Sequence, residues 1–311
     1  MTSAKPQSYG TGVALAIAGA SCWSLAGGLV RMTQGIDAWQ ITFYRSITVI
    51  VLTGAWLLAK NRGDLGRVIA AGGWMAVFAG IAIGTAGLLF VVALFYTTVA
   101  QVIFMTGIAP FSAALLGRVF LGERTSGATW IAMLIALFGL VVMLFSEPGS
   151  VSIRGTLLAL CSATCFSIYS VLLRTRPNVD MTVSVAWNAL FLVVLTGAVL
   201  LVPSPLRDGF GPESFAIGWR NYLWVFIMGA VQLTLGLILF TTAARSVPSA
   251  QLALFALVEP TFAPLWAWLA VGEVAPVSTY IGGGIIMAAI VFLIVANQSS
   301  LARPSSKEEP A

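Results

Sequence analysis

Ten apolar stretches of membrane-spanning length follow one another along the chain, separated by short polar segments. They cover residues 12–31, 38–59, 70–92, 97–121, 127–146, 155–173, 182–202, 219–242, 248–271 and 277–297. A helix needs about 20 apolar residues to cross a bilayer, and each stretch supplies roughly that number. The stretches are almost continuously apolar and do not alternate as membrane β-strands do. We therefore predict an all-α integral membrane protein with ten transmembrane helices.

The composition excludes the other broad classes of protein. Hydrophobic residues make up 59% of the 311 residues and charged residues only 9%, against about 25% charged in a soluble domain. A soluble domain of this size cannot hide so much apolar surface. We expect the lipid bilayer to be the main partner of this chain.

Several chemistries lack the residues they need. The sequence has no histidine, so it cannot form the usual zinc and haem sites or a Ser-His or Cys-His nucleophile. The phosphate-binding pattern GxxxxGK[ST] is absent. The basic residues are scattered singly, whereas a nucleic-acid surface needs a clustered basic face. We expect no cofactor, no metal and no nucleic-acid partner.

Basic residues set the predicted orientation. With both termini in the cytoplasm, eleven Lys and Arg residues fall on the cytoplasmic side and four on the other. Cytoplasmic loops carry an excess of Lys and Arg. We predict a multi-pass protein of the bacterial inner membrane with both termini cytoplasmic.

The chain contains an internal duplication. With an offset of 143, VLTGAWLL at 51–58 aligns with VLTGAVLL at 194–201, and residues 12–31 share eight identities in twenty with 155–174. A longer loop at 203–214 raises the offset to 150, at which residues 74–123 share eleven identities in fifty with 224–273. These identities include Gln101/Gln251, Pro110/Pro260 and a Gly-Glu pair, which a bias toward Leu and Ala does not explain.

Each repeat contains five predicted helices. Because five is odd, the second repeat must enter the membrane from the opposite side, so the repeats are inverted. This architecture is typical of secondary transporters. We divide the chain into a cytoplasmic N-terminus (1–10), a first five-helix repeat (11–147), a second, inverted repeat (148–297) and a cytoplasmic tail (298–311).

The fourth predicted helix of each repeat bears proline and is followed by Gly-Glu, as in PFSAALLGRVFLGE (110–123) and EPTFAPLWAWLAVGE (259–273). Together with FYRS (43–46), these segments resemble the drug/metabolite transporter superfamily, in particular its EamA-type ten-helix members. The resemblance covers about residues 10–297. It implies a carrier of small molecules such as amino acids, other metabolites or drugs. The first repeat departs from the pattern, because Ala109 stands where the second has Glu259.

Two ionisable residues lie well inside predicted spans. Arg45 and Glu259 would each cost about 2.5–3.5 kcal/mol at a lipid-facing helix centre, so we expect them to face a cavity or each other. Arg45 suits a substrate carboxylate, and Glu259 suits a proton or an amine. A fixed ion pair or a cap on broken backbone is the alternative for both. Asn188 occupies the repeat position of Arg45, which makes the site asymmetric.

Polar amides are further candidates for binding substrate. Gln101 and Gln251 are repeat mates whose amides can donate and accept hydrogen bonds, as a zwitterion requires. An interhelical hydrogen bond is the alternative role for them. Gln232 is similar but has no mate, because Ala82 stands opposite.

Aromatic side chains in the spans could line an apolar part of the same cavity. We select Trp23, Tyr169 and Trp187 for this role, with ordinary packing or lipid contact as the alternative. Pro110 and Pro260 fall inside spans, where proline removes a helix hydrogen bond. We predict that these two prolines act as hinges.

The leading functional hypothesis is a secondary transporter that exports small metabolites by alternating access. Neutral and aromatic amino acids are the favoured substrates, because one Arg, one Glu and several amides would leave a multiply charged ligand without counter-ions. Another metabolite or drug is the alternative substrate. A membrane enzyme would need a nucleophile with a base or a metal cluster. Without histidine and with few carboxylates in the spans, we do not expect an enzyme. A channel, or a membrane subunit without transport activity, is the alternative from a different class. Channels usually form rings from several subunits, whereas this chain carries its own symmetry. We expect a monomer or a weak homodimer.

Overall fold

The structure is a computed structural model that describes residues 7–94, 96–144, 152–203, 209–272 and 274–301. Over this part of the chain it is a helical bundle with one 3₁₀ turn at Pro212–Phe215 and one π-helical segment at Met228–Leu235. The α-helices are α1 (Tyr9–Trp23), α2 (Ala26–Met32), α3 (Ala38–Lys60), α4 (Leu65–Leu94), α5 (Val99–Thr106), α6 (Ala109–Leu121), α7 (Gly127–Leu144), α8 (Ile153–Arg174), α9 (Val183–Leu201), α10 (Trp219–Ile227), α11 (Gly236–Ala243), α12 (Ser249–Phe255), α13 (Val258–Val271) and α14 (Val277–Leu301).

The helices follow the predicted spans. Among the described residues, nine helical stretches are long and apolar enough to cross a membrane. The one predicted span without a counterpart among these nine, 248–271, is divided into α12 and α13, each shorter than a bilayer crossing. The all-α membrane fold predicted from the sequence is therefore confirmed.

Three of the predicted spans are interrupted rather than continuous. The breaks lie at Ser24–Leu25, at Gly107–Ile108 and at residues 256–257. At the repeat offset of 150, Gly107–Ile108 corresponds to residues 257–258, so the second and third breaks differ in position by one residue. Pro110 and Pro260 therefore lie in the first turn of a new helix and not inside a continuous helix, where proline would remove a hydrogen bond. A first-turn amide has no partner in its helix, so proline costs little there.

Contacts at one face of the bundle show that the repeats are inverted. The Tyr9 hydroxyl, at the start of α1, donates to Gln251 Oε1 over 2.8 Å. Ser249 lies two residues before Gln251, and its hydroxyl is 2.6 Å from Glu123 Oε2. Glu123 Oε1 in turn accepts from Arg174 Nε at 2.7 Å. Arg174 is the last residue of α8, so α8 ends at the face where its repeat mate α1 begins.

Both ends of the described chain share this face, because Asn297 Nδ2 near the end of α14 donates to the Tyr9 hydroxyl over 2.7 Å. We call it the terminal face. The opposite face, which we call the loop face, carries the 3₁₀ turn. There Gln40 Nε2 donates to Ser214 O over 2.8 Å and the Tyr44 hydroxyl donates to Phe215 O. These bonds hold the long second-repeat loop against α3.

The Gly-Glu signals end helices in both repeats, as predicted. Gly122 caps α6 with φ 67° and Gly272 caps α13 with φ 71°. Only glycine adopts this left-handed conformation at little cost. The match between the two caps extends the repeat from sequence to backbone conformation.

Small residues let helices approach closely, and large ones face outward. A Cβ on Gly282 in α14 would lie 2.4 Å from the carbonyl oxygen of Gly139 in α7, so both helices need glycine at this contact. Outward side chains are large and apolar, such as Phe120 with 71% of its surface exposed. Such surface is unfavourable in water and suits the bilayer interior.

Candidate functional site

Interrupted helices create the irregular backbone that characterises the centre of this bundle. The α5/α6 and α12/α13 breaks belong to opposed repeats, and α6 packs against both α8 and α12. At the first break, the Ser167 hydroxyl on α8 lies 2.9 Å from Ala109 O in the first turn of α6. Within a membrane, interrupted helices are tolerated only where protein or a water-filled cavity satisfies their backbone. In secondary transporters, such breaks lie beside the substrate site.

Four aromatic rings gather between α1, α8 and α11. The Trp23 ring lies 4.7 Å from the Phe240 ring and 6.0 Å from the Phe166 ring, centroid to centroid. The Tyr169 ring is stacked at 6.4 Å on Phe240. The Tyr169 hydroxyl is 2.7 Å from Thr241 Oγ1. We call Trp23, Phe166, Tyr169 and Phe240 the aromatic cluster.

The structure thus brings together two of the three aromatic residues selected from the sequence. Trp187 lies apart, half-buried where α9 meets α4, with its Cβ against Gly80. No ring contact joins Trp187 to the aromatic cluster within the described residues. Phe166 and Phe240 were not among the candidates, because a phenylalanine in an apolar span has nothing in its sequence context that distinguishes it from its neighbours.

The polar mates Arg45 and Asn188 lie on helices that pack against each other, α3 and α9. Asn188 is 3% exposed, and its Oδ1 is buried without a hydrogen-bond partner among the described residues. Arg45 Nε is also buried without a partner in the described part of the chain. Buried polar atoms normally find partners. These two atoms are therefore available for a ligand or for water.

Glu259 lies at the α12/α13 break. It is half-buried in the first turn of α13, where the positive end of a helix dipole favours a carboxylate. The described residues include no ion pair between Glu259 and Arg45. The fixed pair considered from the sequence is thus absent from this conformation.

The glutamine mates are separated rather than clustered. Gln101 is buried in the first turn of α5. Gln251 lies in the first turn of α12 at the terminal face, where it binds the Tyr9 hydroxyl and Thr129 Oγ1. Tyr9 and Trp23 stand at opposite ends of α1, about 20 Å apart by helical rise. The structure therefore does not bring Gln251 to the aromatic cluster, and both of its amide groups have partners.

Ionic contacts join the two repeats at the terminal face. Glu123, directly after α6, binds Arg174 and also accepts from the backbone N–H of Ser249 at 3.1 Å. Arg174 donates in addition to Ala244 O over 3.1 Å. Glu123 belongs to the first repeat and its partners to the second. We call Glu123, Arg174 and Ser249 the terminal-face clamp.

A second ionic group at this face surrounds Asp180, in the loop between α8 and α9. Asp180 binds Lys60 Nζ at 2.6 Å and Arg245 at 3.3 Å. Burial alone would raise the pKa of Asp180, but hydrogen bonds from Lys60 and Thr182 and the charge of Lys60 outweigh it, so the pKa lies below its ordinary value. Asp180 therefore stays ionised at neutral pH.

Two cavities lie at opposite faces. An apolar cavity of about 200 Å³ opens between α2, α10 and α13. Its lining residues are Leu25, Gly28, Leu29, Met32, Trp224, Trp266 and Leu269. Trp266 Nε1 donates to Ser24 Oγ at the α1/α2 break over 2.8 Å. A smaller cavity of about 80 Å³ lies beside the terminal-face clamp and is lined in part by Glu123, Ala250 and Gln251.

Among the described residues, no group of three or more His, Cys, Asp or Glu side chains could hold a metal ion. The ion pairs of the described residues lie at the terminal face, whereas the unpartnered atoms of Arg45 and Asn188 and the aromatic cluster lie within the spans. This arrangement is able to hold a small, partly apolar organic molecule with few charges.

Comparison with known proteins assigns the chain to a family. The EamA-like transporter family matches the sequence twice, over residues 10–145 and 153–295. An uncharacterized transporter of Vibrio cholerae is 27% identical over 290 residues, which are 91% of this chain and 92% of that protein. The pseudopaline exporter CntI of Pseudomonas aeruginosa is 26% identical over 290 residues, which are 91% of this chain and 95% of that protein.

A solved crystal structure has the same fold. It matches with a TM-score of 0.75 over 94% of this chain and 99% of its own, at 18% sequence identity. The two family matches fall on the two repeats recognised in the sequence, and together they cover most of the length of this chain. The chain belongs to the EamA-like transporter family.

Proposed function

We propose that this protein is a secondary transporter that exports neutral amino acids, with aromatic ones or methionine among them, by alternating access. The observation that carries the proposal is the pairing of inverted repeats with an interrupted helix in each. Two opposed copies of one unit can exchange conformations and expose a site between them to each side in turn. The breaks at Gly107–Ile108 and at residues 256–257 provide irregular backbone beside such a site.

The polar groups support a zwitterion as substrate. Arg45 and Glu259 offer one positive and one negative charge within the spans, and Asn188 adds a buried, unpartnered amide oxygen. A ligand with several net charges would lack counter-ions there, which is costly in a low-dielectric interior. We assign Arg45 to the substrate carboxylate and Glu259 to an amine or to a coupled proton.

The aromatic cluster supports a substrate with an apolar side chain. Trp23 and Tyr169 offer ring faces and edges at van der Waals distance from their neighbours, and aromatic pairs contribute about 0.5–1.5 kcal/mol beyond area burial. The apolar cavity beside Trp266 gives such a side chain a lipid-side route toward the α1/α2 break. We propose Trp187, on the α9 side and apart from the aromatic cluster, as a further contact for the apolar side chain.

The proposal includes an orientation in the inner membrane. We place the terminal face in the cytoplasm, because it carries the excess of Lys and Arg. In this arrangement the terminal-face clamp closes the cytoplasmic side. One chain contains both repeats, so a monomer or a weak homodimer suffices for transport.

A second candidate is export of another metabolite or of a drug. The relative from Pseudomonas aeruginosa, named as a pseudopaline exporter, favours it, because its match covers nearly the whole of both chains at 26% identity. This candidate keeps the fold, the breaks and the direction of transport and changes only the ligand.

Uptake into proteoliposomes tests the proposal. Purified protein is reconstituted, and uptake of labelled phenylalanine is measured with and without a proton gradient, in competition with amino acids, nucleosides and amines. We expect competition by phenylalanine and methionine and weak competition by nucleosides. Uptake that no amino acid inhibits would contradict the substrate assignment and favour the second candidate.

A further inference from the structure

The π-helical segment Met228–Leu235 distinguishes the second repeat from the first. Its repeat mates, residues 78–85, lie in α4, where the only non-helical backbone angles are those of Gly73. π-Helical turns are rare and occur frequently at functional sites. Gln232 lies within this segment, and its mate is Ala82. The second repeat thus combines unusual backbone and an added amide at one level of the bundle.

The Gln232 side chain is buried without a full set of partners. The residue is 6% exposed, and its Oε1 has no hydrogen-bond partner within the described chain. Two donors on neighbouring helices, Trp23 Nε1 and Arg45 Nε, are buried and unpartnered in the same way. Buried polar atoms normally have hydrogen-bond partners, so three unpartnered ones on adjoining helices are candidates to bind one ligand together.

Glycines let both donor residues approach this part of the second repeat, Arg45 at the π-helical segment and Trp23 at Gly236, the first residue of α11. A Cβ at Gly229 would lie 2.7 Å from the Arg45 carbonyl oxygen, and a Cβ at Gly236 would lie 2.7 Å from Trp23 Nε1. α3 therefore approaches the π-helical segment, and Trp23 of α1 approaches the start of α11, as closely as the backbone allows. Gly229 and Gly236 are about 10 Å apart by helical rise, with Gln232 between them. Gln232 therefore lies between the backbone of Arg45 and the Trp23 indole, within a stretch the length of a small ligand.

We propose that Gln232 is a specificity-determining residue that binds the substrate ammonium group through Oε1. Arg45 and the Trp23 indole N–H donate at the same time to the substrate carboxylate. An amide oxygen accepts from a cation, whereas guanidinium and indole N–H groups only donate. This inference rests on the proposed function and deepens it, because it selects α-amino acids over carboxylic acids and amines of the same shape.

Equilibrium binding to the purified protein in detergent tests the assignment. The probes are phenylalanine, 3-phenylpropionate, which lacks the ammonium group, and phenethylamine, which lacks the carboxylate. A hydrogen bond to a charged group is worth about 1.5–3 kcal/mol, which corresponds to roughly tenfold to hundredfold in affinity. Gln232→Leu should weaken phenylalanine binding by that factor and leave 3-phenylpropionate binding unchanged. Thr242→Val is the matched control, because the Thr242 hydroxyl already donates to Ile238 O within its own helix.

Gln232→Glu keeps an acceptor at this position and should strengthen phenethylamine binding, which provides a readout if the Leu variant does not fold. Unchanged phenylalanine binding in Gln232→Leu, equal losses for phenylalanine and 3-phenylpropionate, or unchanged phenethylamine binding in Gln232→Glu would overturn the role of Gln232. Each of these results leaves the proposed function standing if the wild-type protein transports phenylalanine. Failure of the wild-type protein to bind or transport any amino acid would instead refute the proposed function itself.

Discussion

At the scale of single residues, the proposed site depends on a few side chains whose surroundings differ from those of the bundle. Trp23 ends α1 at a helix break and contacts Phe240, while Tyr169 is fully buried and bound to Thr241. Asn188 and Gln232 are each more than nine-tenths buried and have an unpartnered oxygen among the described residues. Such positions are where a substitution changes binding rather than folding alone.

Trp187→Ala should weaken competition by phenylalanine more than competition by threonine. The proposed role of Trp187 is contact with an apolar side chain, so its removal costs up to about tenfold in affinity for phenylalanine. Inhibition of labelled substrate uptake in proteoliposomes measures both competitors, with Trp187→Phe as the conservative control. Equal losses for the two competitors would mean that Trp187 serves only the packing of α9 on α4.

Asp180→Asn should lower stability at neutral pH and have little effect in acid. Because the pKa of Asp180 lies below its ordinary value of 3.8, its stabilisation is complete above that value and is lost as the pH falls through the lowered pKa. Lys60 is 41% exposed, so the expected loss at pH 7 is only about 0.5–1 kcal/mol. Thermal unfolding in detergent at neutral and acidic pH measures it, and a pH-independent difference would contradict this explanation.

At the scale of elements, interrupted helices give this bundle its places of least regular backbone. The α5/α6 and α12/α13 breaks are each followed by a helix with a proline in its first turn. These helices, α6 and α13, end in left-handed glycine caps. The π-helical segment is an irregularity of the second repeat only. Where the backbone hydrogen bonds of a helix are interrupted, a change of backbone angle requires the least free energy.

Pro110→Ala and Pro260→Ala should slow transport more than they weaken binding. Alanine restores an amide N–H and favours a continuous helix across the break, which stiffens the hinge proposed there. The transport rate in proteoliposomes and the equilibrium affinity in detergent are compared for each variant. Wild-type transport rates in both variants would show that the prolines only begin α6 and α13.

Glu123→Gln should favour opening at the terminal face, because it removes the charge that holds Arg174. The measurement is alkylation of a cysteine introduced at Ala250, which is 3% exposed and lines the small cavity there, after Cys22, Cys161 and Cys165 are replaced. We expect alkylation to be at least threefold faster than with Glu123 intact, which corresponds to about 0.65 kcal/mol. Glu213→Gln at the loop face is the matched control, and an unchanged rate would mean that the clamp does not hold the closed conformation.

At the scale of the whole molecule, the sequence is sufficient to predict the fold class, the spans and the repeats. Lipid requires long apolar helices, and a duplication leaves matches such as Gln101/Gln251 and Pro110/Pro260 in register. The exact helix breaks are less predictable, because the break at Gly107–Ile108 falls before the proline that signals it. The π-helical segment has no proline at all.

The site was only partly predictable for a related physical reason. In a soluble helix, the apolar stripe identifies the buried face, but a membrane helix is apolar on its lipid-facing side as well. Phe166 and Phe240 therefore cannot be distinguished from lipid-facing phenylalanines by sequence. Trp23 and Tyr169 were recognisable by residue type, whereas the distance of Gln251 from the aromatic cluster required the packing of α1 and α12.

The central claim, a carrier that works by alternating access on neutral amino acids, is tested most directly by counterflow. Proteoliposomes loaded with excess unlabelled phenylalanine are diluted into a trace of labelled phenylalanine, and internal label is followed over time without any ion gradient. A carrier exchanges one molecule for another, so we predict that label rises transiently above its equilibrium level and then declines. A monotonic approach to equilibrium would indicate a channel, and no uptake above protein-free liposomes would contradict phenylalanine as a substrate.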